Sequence, residues 1–474
     1  MSVKGTSLAA IALLGLATSA AAQGIYAPGA GPINRSMAGA STAAPLEFGS
    51  TYWNPANLSG LDRPEFLLGS ELIIPSTHLT TVIRQQAVGG LLPGGTRYGV
   101  SRSDSGVVPN LATGVAFRLD DESPWTYGLG VFGVVGGNVN FAGSLTTPLL
   151  TPRRPPYTFG VGPIWGNASM LAINPSASLR LTDRLSVGGG PVVSSMSMGF
   201  SPAFFAPNPR DGSGPAGFPA ATNSRTFWGG GFQLGLLYEL NEDWNVGFSY
   251  KSPIWQERWA FNSSTPDLAP RRIGIQANIP AIYSWGVAYK GFERALIDVD
   301  LRYFDYANAA LFGQAPRDGG LGWNSVFAVA VGGQYALTEK LTARAGYLYN
   351  TNPIPNTATL FNTQLPGIIS NTLSLGSSYR LTDDITLSAA WVHGFRNAIQ
   401  GGIREDALAT AKIDTQYDSI VCGLNVQYGG RRKVPRRVDA AAQAVESAPR
   451  TVEPAREIAG RIETRGDGVS EQSR

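Results

Sequence analysis

The sequence predicts an all-β protein: a 14-stranded antiparallel transmembrane β-barrel whose lumen is plugged by an N-terminal hatch segment. Three observations carry that prediction. A turn phrase recurs as Leu181-Thr182-Asp183-Arg184-Leu185, Leu240-Asn241-Glu242-Asp243-Trp244, Leu337-Thr338-Glu339-Lys340-Leu341 and Leu381-Thr382-Asp383-Asp384-Ile385. The segments it joins alternate apolar and polar residues, and a period of two puts successive side chains on opposite faces of a strand. Between the short turns the chain makes long excursions rich in Gly, Pro and Asn, and short turn alternating with long loop is the layout of an outer-membrane barrel.

Taken in order, residues 1–22 read as a secretory signal: Lys4, an apolar run from Leu8 to Ala17, and the small residues Ala20-Ala21-Ala22 before Gln23. The apolar run is too short for a membrane helix, and no other stretch approaches the roughly 20 apolar residues a spanning helix needs. Export without a membrane helix leaves a soluble secreted protein or a barrel. Residues 23–64 do not alternate, yet Ile25, Met37, Phe48, Tyr52, Trp53 and Leu58 are too apolar for a disordered leader. A fourteen-strand barrel encloses a wide lumen, and this segment is the predicted plug.

The barrel is predicted over 65–429. Its strands are expected at 65–75, 110–119, 126–142, 169–181, 185–200, 225–240, 244–261, 283–290, 295–305, 324–337, 341–350, 370–381, 385–396 and 418–429. In 232–240, Phe232, Leu234, Leu236, Tyr238 and Leu240 share one face, and Gln233, Gly235 and Glu239 the other. In 297–303, Ile297, Val299, Leu301 and Tyr303 oppose Asp298, Asp300 and Arg302. A water-soluble sandwich also alternates; aromatic residues clustered near strand ends and the strict alternation of loop lengths favour the membrane barrel. An even count leaves both termini periplasmic, with outward loops near 76–109, 143–168, 201–224, 262–282, 306–323, 351–369 and 397–417. Residues 430–474, beginning with Arg431, Arg432, Lys433, Arg436 and Arg437, have almost no large apolar residues and read as a flexible basic periplasmic tail, with contact to lipid headgroups or peptidoglycan as the alternative.

Composition narrows the function. A net charge of +3 offers no basic field for nucleic acid. One cysteine, Cys422, allows no intramolecular disulfide and no metal cluster. No phosphate loop or metal-ligand spacing stands out, and no cofactor is expected. The two histidines, His78 and His393, fall in or near outward loops with no evident Asp or Glu arrangement. His393 has lipid-facing parity, which leaves an esterase as a remote alternative, and no enzyme activity is expected.

Segment 36–61, "SMAGASTAAPLEFGSTYWNPANLSGL", resembles the N-terminal hatch of the FadL/TodX (OMPP1) family of outer-membrane transporters for long-chain fatty acids and other hydrophobic compounds, with its signature at Asn54, Pro55 and Ala56. The resemblance continues through 237–253, 286–309 and 341–356 and ends with "LSLGSSYRLTDDITLSAAWVHGF" at 373–395. It runs from about residue 24 to 428 in the family's order. It implies a protein of the Gram-negative outer membrane, in contact with its lipid and lipopolysaccharide. It also implies fourteen strands, in agreement with the count from alternation. Family members often end on an aromatic residue read by the barrel-assembly machinery; here Tyr428 takes that place, followed by the tail. The loops match poorly, so the substrate, long-chain fatty acid or aromatic hydrocarbon, stays open.

The resemblance implies loop capture, passage to a pocket above the hatch and lateral release through a kink in the third strand. That kink would fall at Gly133, Gly136, Gly137 and Asn138, since glycines inside a strand weaken pairing and mark bulges; plain lumen packing is the alternative. Phe200, Phe204, Phe205 and Phe218 suit an apolar substrate groove, unless they pack against neighbouring loops. A buried carboxylate needs a cation. Of the inward-facing Arg118, Lys251, Arg302, Arg344 and Arg380, the first and last are expected to meet turn carboxylates near the periplasm and Arg302 to pair with Asp298 and Asp300. Lys251 and Arg344 remain as carboxylate-binding candidates. The competing functions are a general diffusion porin and a structural or adhesin barrel.

Overall fold

The computed structural model describes residues 23–87, 95–152, 160–206, 219–223, 225–265, 269–403 and 406–431. The expected signal (1–22), nearly all of the expected tail (430–474) and Phe218 lie outside the described residues. Fourteen antiparallel strands follow in chain order: β1 (Glu65–Ile83), β2 (Val108–Phe117), β3 (Trp125–Phe141), β4 (Ile164–Arg180), β5 (Leu185–Ser201), β6 (Phe227–Glu239), β7 (Trp244–Lys251), β8 (Ile282–Tyr289), β9 (Ala295–Phe304), β10 (Val326–Ala336), β11 (Leu341–Asn350), β12 (Asn371–Arg380), β13 (Ile385–Ile403) and β14 (Asp406–Gln427). Each pairs with its sequence neighbour, and β14 pairs with β1 from Glu65↔Gln427 to Ile83↔Ala409, which closes the sheet.

The faces are inverted relative to a water-soluble protein. Leu234 and Leu301 are each 54% exposed on the outer face, whereas the intervening Gln233, Asp298, Asp300 and Arg302 are buried inside. Only a hydrocarbon surround makes that arrangement favourable, and closure satisfies the backbone groups that such a surround cannot. The recurring turn phrase has one geometry at all four sites. The first residue's N–H donates to the carbonyl of the fifth at 2.9 Å (Leu181 to Leu185, Leu240 to Trp244, Leu337 to Leu341, Leu381 to Ile385). The second residue's side chain, Thr182, Asn241, Thr338 or Thr382, accepts the N–H of the fifth at 2.9–3.1 Å. A Thr or Asn at the second place closes the turn from its side chain, which is why the phrase repeats.

The structure moves several expected boundaries. The stretch 397–417, expected as a loop, is mostly strand: β13 runs to Ile403 and β14 starts at Asp406. The upper part of β14 alternates with polar residues outward (Thr410, Lys412, Asp414, Gln416) and that of β13 with Ala398, Gln400 and Gly402, so above the hydrocarbon layer they look like loop in sequence. For the same reason β1 continues to Ile83 through the expected loop 76–109, where it pairs with a further strand, Arg97–Arg102. The expected strand 244–261 stops at Lys251, two residues before Pro253, which has no N–H for a ladder. Beyond it, Ile254–Gln256 rejoins the wall, and Trp259–Ser264 belongs to a separate three-stranded sheet with Thr222–Asn223 and Pro270–Ile275.

Residues 23–64 lie inside the ring with one short helix, Pro32–Ser36, and two 3-10 turns, Phe48–Tyr52 and Pro55–Gly60. Met37, Tyr52, Trp53 and Leu58 are fully buried. Inward strand glycines let the plug backbone approach the wall. At Gly188 a Cβ would stand 2.6 Å from Ala56 N and from the Pro55 carbonyl carbon, and at Gly235 it would fall on Asn54 Oδ1.

Candidate functional site

Asn54 ties the plug to the barrel. Its Oδ1 accepts the Ala56 N–H at 3.0 Å, capping the turn that Pro55 opens. Its Nδ2 donates to the carbonyl of Thr42 within the plug and to that of Leu236 on β6, each at 2.8 Å. One amide thus holds two plug segments and one strand. On β9, three strands along the ring, Asp300 accepts the N–H groups of Ser41 at 3.0 Å and Thr42 at 3.1 Å and the Arg302 guanidinium at 2.5 Å. Arg302 also donates to the Gly39 carbonyl and stacks 3.8 Å from the Trp53 ring centroid. Arg302 is thus in a structural network. Inside the plug, burial pushes the Glu47 carboxyl up to about 7, against the lowering effect of the Asn34 N–H at 2.8 Å and the Asn425 amide at 3.2 Å.

The candidate cations are engaged elsewhere. Lys251 Nζ lies 3.9 Å from the Tyr52 ring centroid and 5.0 Å from that of Trp53. Arg344 donates to Gln334 at 3.0 Å and Ser378 at 2.5 Å. Neither lines either of the two larger cavities. Arg118 donates to the carbonyls of Leu61 and Asp62 rather than to a turn carboxylate. Among the described residues, the cation that lines the larger cavity is Arg35, from the plug, paired with Glu71 on β1. Glu71 also accepts Ser419 Oγ at 2.5 Å and Asn110 Nδ2 at 3.3 Å. Sequence reasoning missed this pair; the available signal was an acid at an inward position of β1, between Gly69 and Ile73.

The wall is incomplete between β2 and β3. They pair only from Phe117↔Tyr127 to Ala112↔Phe132. Past Phe132 the register of β3 against β4 shifts between Gly133 and Val135. There the plug supplies a partner, with Tyr26 bridging Val135 and the Ala27 N–H donating to the Val134 carbonyl at 2.9 Å. Higher up, the segment between Arg102 and Val108 clasps β3 again: Asp104 N to Asn140 O at 2.8 Å, Asn140 N to Ser103 Oγ at 2.8 Å and Asn138 Nδ2 to Ser105 O at 2.8 Å. The result is a stretch of missing ladder closed below by Phe132 and above by Asn138. Gly136 and Gly137 face open space across it: a Cβ on Gly136 would find only Val108, at 3.6 Å, and one on Gly137 nothing within 4 Å. Gly133 differs, since its Cβ would collide with the Asn110 side chain.

A cavity of about 190 Å³ runs from the plug residues Gln23–Pro28 to both edges of this break, Val108 and Asn110 on one side and Gly136–Val139 on the other. A smaller one of about 40 Å³ adjoins it under the outward loops and shares Ile25, Val135, Gln364 and Leu365 with it. Phe200, Phe204 and Phe205 line the smaller cavity. They are not an exposed groove: Phe204 is buried against Phe361, with ring centroids 6.1 Å apart, and Phe200 against Phe261 at 6.1 Å. The two histidines do meet carboxylates, contrary to expectation, because β14 runs beside both β1 and β13. His78 lies 3.3 Å from Asp414, and His393 2.9 Å from Asp418. Neither has a serine or threonine hydroxyl as a hydrogen-bond partner among the described residues.

A family model described as outer membrane protein transport protein (OMPP1/FadL/TodX) matches residues 11–429. The long-chain fatty acid transport protein of Escherichia coli is 22% identical over 431 residues, covering 80% of this chain and 88% of that protein. A solved Pseudomonas aeruginosa FadL homologue superposes with a TM-score of 0.66 at 15% identity, covering 86% of this chain and 100% of its own. The Pseudomonas putida toluene transporter TodX superposes with a TM-score of 0.61 at 18% identity, covering 85% and 100%.

Proposed function

The chain belongs to the outer membrane transport protein family OMPP1/FadL/TodX, and on that premise we propose that it moves long-chain fatty acids or other hydrophobic compounds by loop capture, descent to a cavity above the hatch and lateral release through the wall. It is an outer-membrane protein that transports hydrophobic compounds. The observation that carries the finer reading is the larger cavity's lining, which includes both edges of the unpaired stretch between β2 and β3. A lumen space that ends at missing ladder supports an exit into the bilayer. The axial route is occupied by buried plug residues such as Met37 and Trp53, which argues against a water-filled diffusion porin.

In this reading the phenylalanines 200, 204 and 205 receive the solute beneath the outward loops, with Phe218 assigned to the same role. Asn54, Pro55 and Ala56 keep the hatch docked. Gly136 and Gly137 keep the opening clear, with Gly133 and Asn138 at its ends. Outer-membrane lipid and lipopolysaccharide surround the apolar outer face, and Tyr428 is the residue offered to the barrel-assembly machinery.

The test is the double variant Gly136→Leu, Gly137→Leu. Both side chains project into open space, so the barrel assembles while the opening fills. Uptake of toluene by cells is expected to fall steeply, with binding to purified protein retained and leakage of a small hydrophilic solute unchanged. Undiminished toluene uptake by a correctly assembled variant would refute lateral release.

A further inference from the structure

Resting on the transport reading above, we infer that Glu71 sets the charge the larger cavity accepts: by compensating Arg35 it makes the cavity a site for neutral hydrophobic molecules of about one ring, bearing at most a neutral oxygen, and turns carboxylates away. Arg35 and Glu71 are the only charged side chains among the described residues lining either larger cavity. Both are almost completely buried. Glu71 is held in place on each oxygen, by Arg35 and Ser419 on Oε1 and by Asn110 on Oε2. A carboxylate entering beside this pair either adds a second anion next to Glu71 or displaces it, and an anion left unpaired in an apolar space is strongly disfavoured. The other inward cations are not available, since Lys251 sits over aromatic rings and Arg302 and Arg344 have their own partners.

The pair does leave one opening for polarity. Arg35 Nε and Nη1 have no acceptor in hydrogen-bond geometry among the described residues. Both are buried just behind the cavity surface, and a small turn of the Arg35 side chain would bring them to a hydroxyl or carbonyl oxygen, which accepts without bringing charge. Size agrees with this chemistry. An apolar cavity of roughly 150 Å³ takes up benzene, so a cavity of about 190 Å³ holds a substituted single ring.

The experiment compares toluene, benzyl alcohol and benzoate by calorimetric titration of the purified full-length protein in detergent, at about pH 8, where a carboxylic acid is ionised. The parent protein is expected to bind benzyl alcohol at least tenfold more tightly than benzoate. Glu71→Gln exposes the Arg35 charge and is expected to shift that ratio at least tenfold toward benzoate, with toluene unchanged. Arg35→Gln, which leaves Glu71 alone, covers the case in which Glu71→Gln fails to assemble: benzoate binding is lost and benzyl alcohol loses its advantage over toluene. Equal binding of benzoate and benzyl alcohol by the parent, or an unmoved ratio in Glu71→Gln, overturns the inference. So does unchanged binding in Arg35→Gln. If no probe binds the parent while the wall variant still blocks toluene uptake, the charge rule fails and lateral release stands. If the wall variant transports normally while Glu71→Gln moves the ratio, the reverse holds.

Discussion

Replacing Asn54 by alanine isolates the contribution of a single side chain to plug docking. The substitution deletes three hydrogen bonds, one accepted from Ala56 N and two donated to the carbonyls of Thr42 and Leu236. Each buried hydrogen bond is worth about 0.5–1.5 kcal/mol net, so the plug is expected to lose roughly 2–4 kcal/mol of its hold on the barrel. Local opening of the hatch should then become roughly thirtyfold to a thousandfold more frequent, at a factor of ten for each 1.4 kcal/mol. Amide hydrogen exchange followed by mass spectrometry reads this directly. Peptides covering 54–60 should exchange faster by that factor, while peptides from β12, across the ring from β6, keep the parent rate. Asn54→Asp sharpens the test. It retains an acceptor for Ala56 N but places a second carboxylate oxygen against two carbonyls, so it should open the plug at least as much as alanine does. Parent-like exchange across 54–60 in both variants would refute the account of Asn54 as the tie. Loss of barrel assembly would refute the separation of plug from wall.

Two further outcomes follow from the plug's surroundings. Gly188→Ala drives a Cβ against the Pro55–Ala56 backbone at 2.6 Å, and overpacking of this kind costs about 1–3 kcal/mol; faster tryptic cleavage at Arg35 in the folded protein is the expected readout, and unchanged cleavage would show that the turn yields freely. The Glu47 carboxyl, raised by burial from 4.5 to about 7, prefers its neutral form when docked. Its contribution to docking is fully present below about pH 4.5 and is lost as pH rises through about 7, a span worth roughly 3 kcal/mol. Hatch exchange, corrected for intrinsic rates, should therefore be faster at about pH 8 than at about pH 5, and Glu47→Gln should flatten the difference.

The barrel was legible because its constraint is written residue by residue. A lipid surround demands an apolar residue at every second position, and Phe232, Leu234, Leu236 and Tyr238 obey it without exception. The turn phrase was legible because one hydroxyl or amide does the same work at four joints. Where the lipid ends, the signal ends. The outward positions Thr410, Lys412, Asp414 and Gln416 are polar because they stand in water or headgroups, and a strand that is polar outside and small inside reads as loop. The site was legible to a similar extent. Strand glycines are visible in sequence, but their meaning depends on what each one faces. Gly188 and Gly235 face the plug, Gly133 faces Asn110, Gly230 faces open space on intact β6, and Gly136 and Gly137 face open space at the break. Spacing along the chain carries no information that distinguishes these cases.

The Arg35–Glu71 pair shows why polar site residues are harder still. Lys251 and Arg344 are wall cations at inward positions, a property that alternation makes legible locally. The cavity's actual cation comes from the plug, and its partner from a strand that follows 36 residues later in sequence. Their meeting is set by how the plug docks against β1, with Pro32 packed at Gly69 and Gly423. That docking depends in turn on the closure of β14 onto β1 across the whole chain. Alternation predicts which face a side chain takes; it does not predict which side chains share a face of the cavity. The same logic locates the break in the wall. Glycines weaken β3, but the ladder is lost because β3 shifts register between Gly133 and Val135 while β2 stays paired with β1 as far as Val108, so the two edges part beyond Ala112↔Phe132. The strand glycines reveal one half of that break in sequence, and only the register of the closed sheet supplies the other.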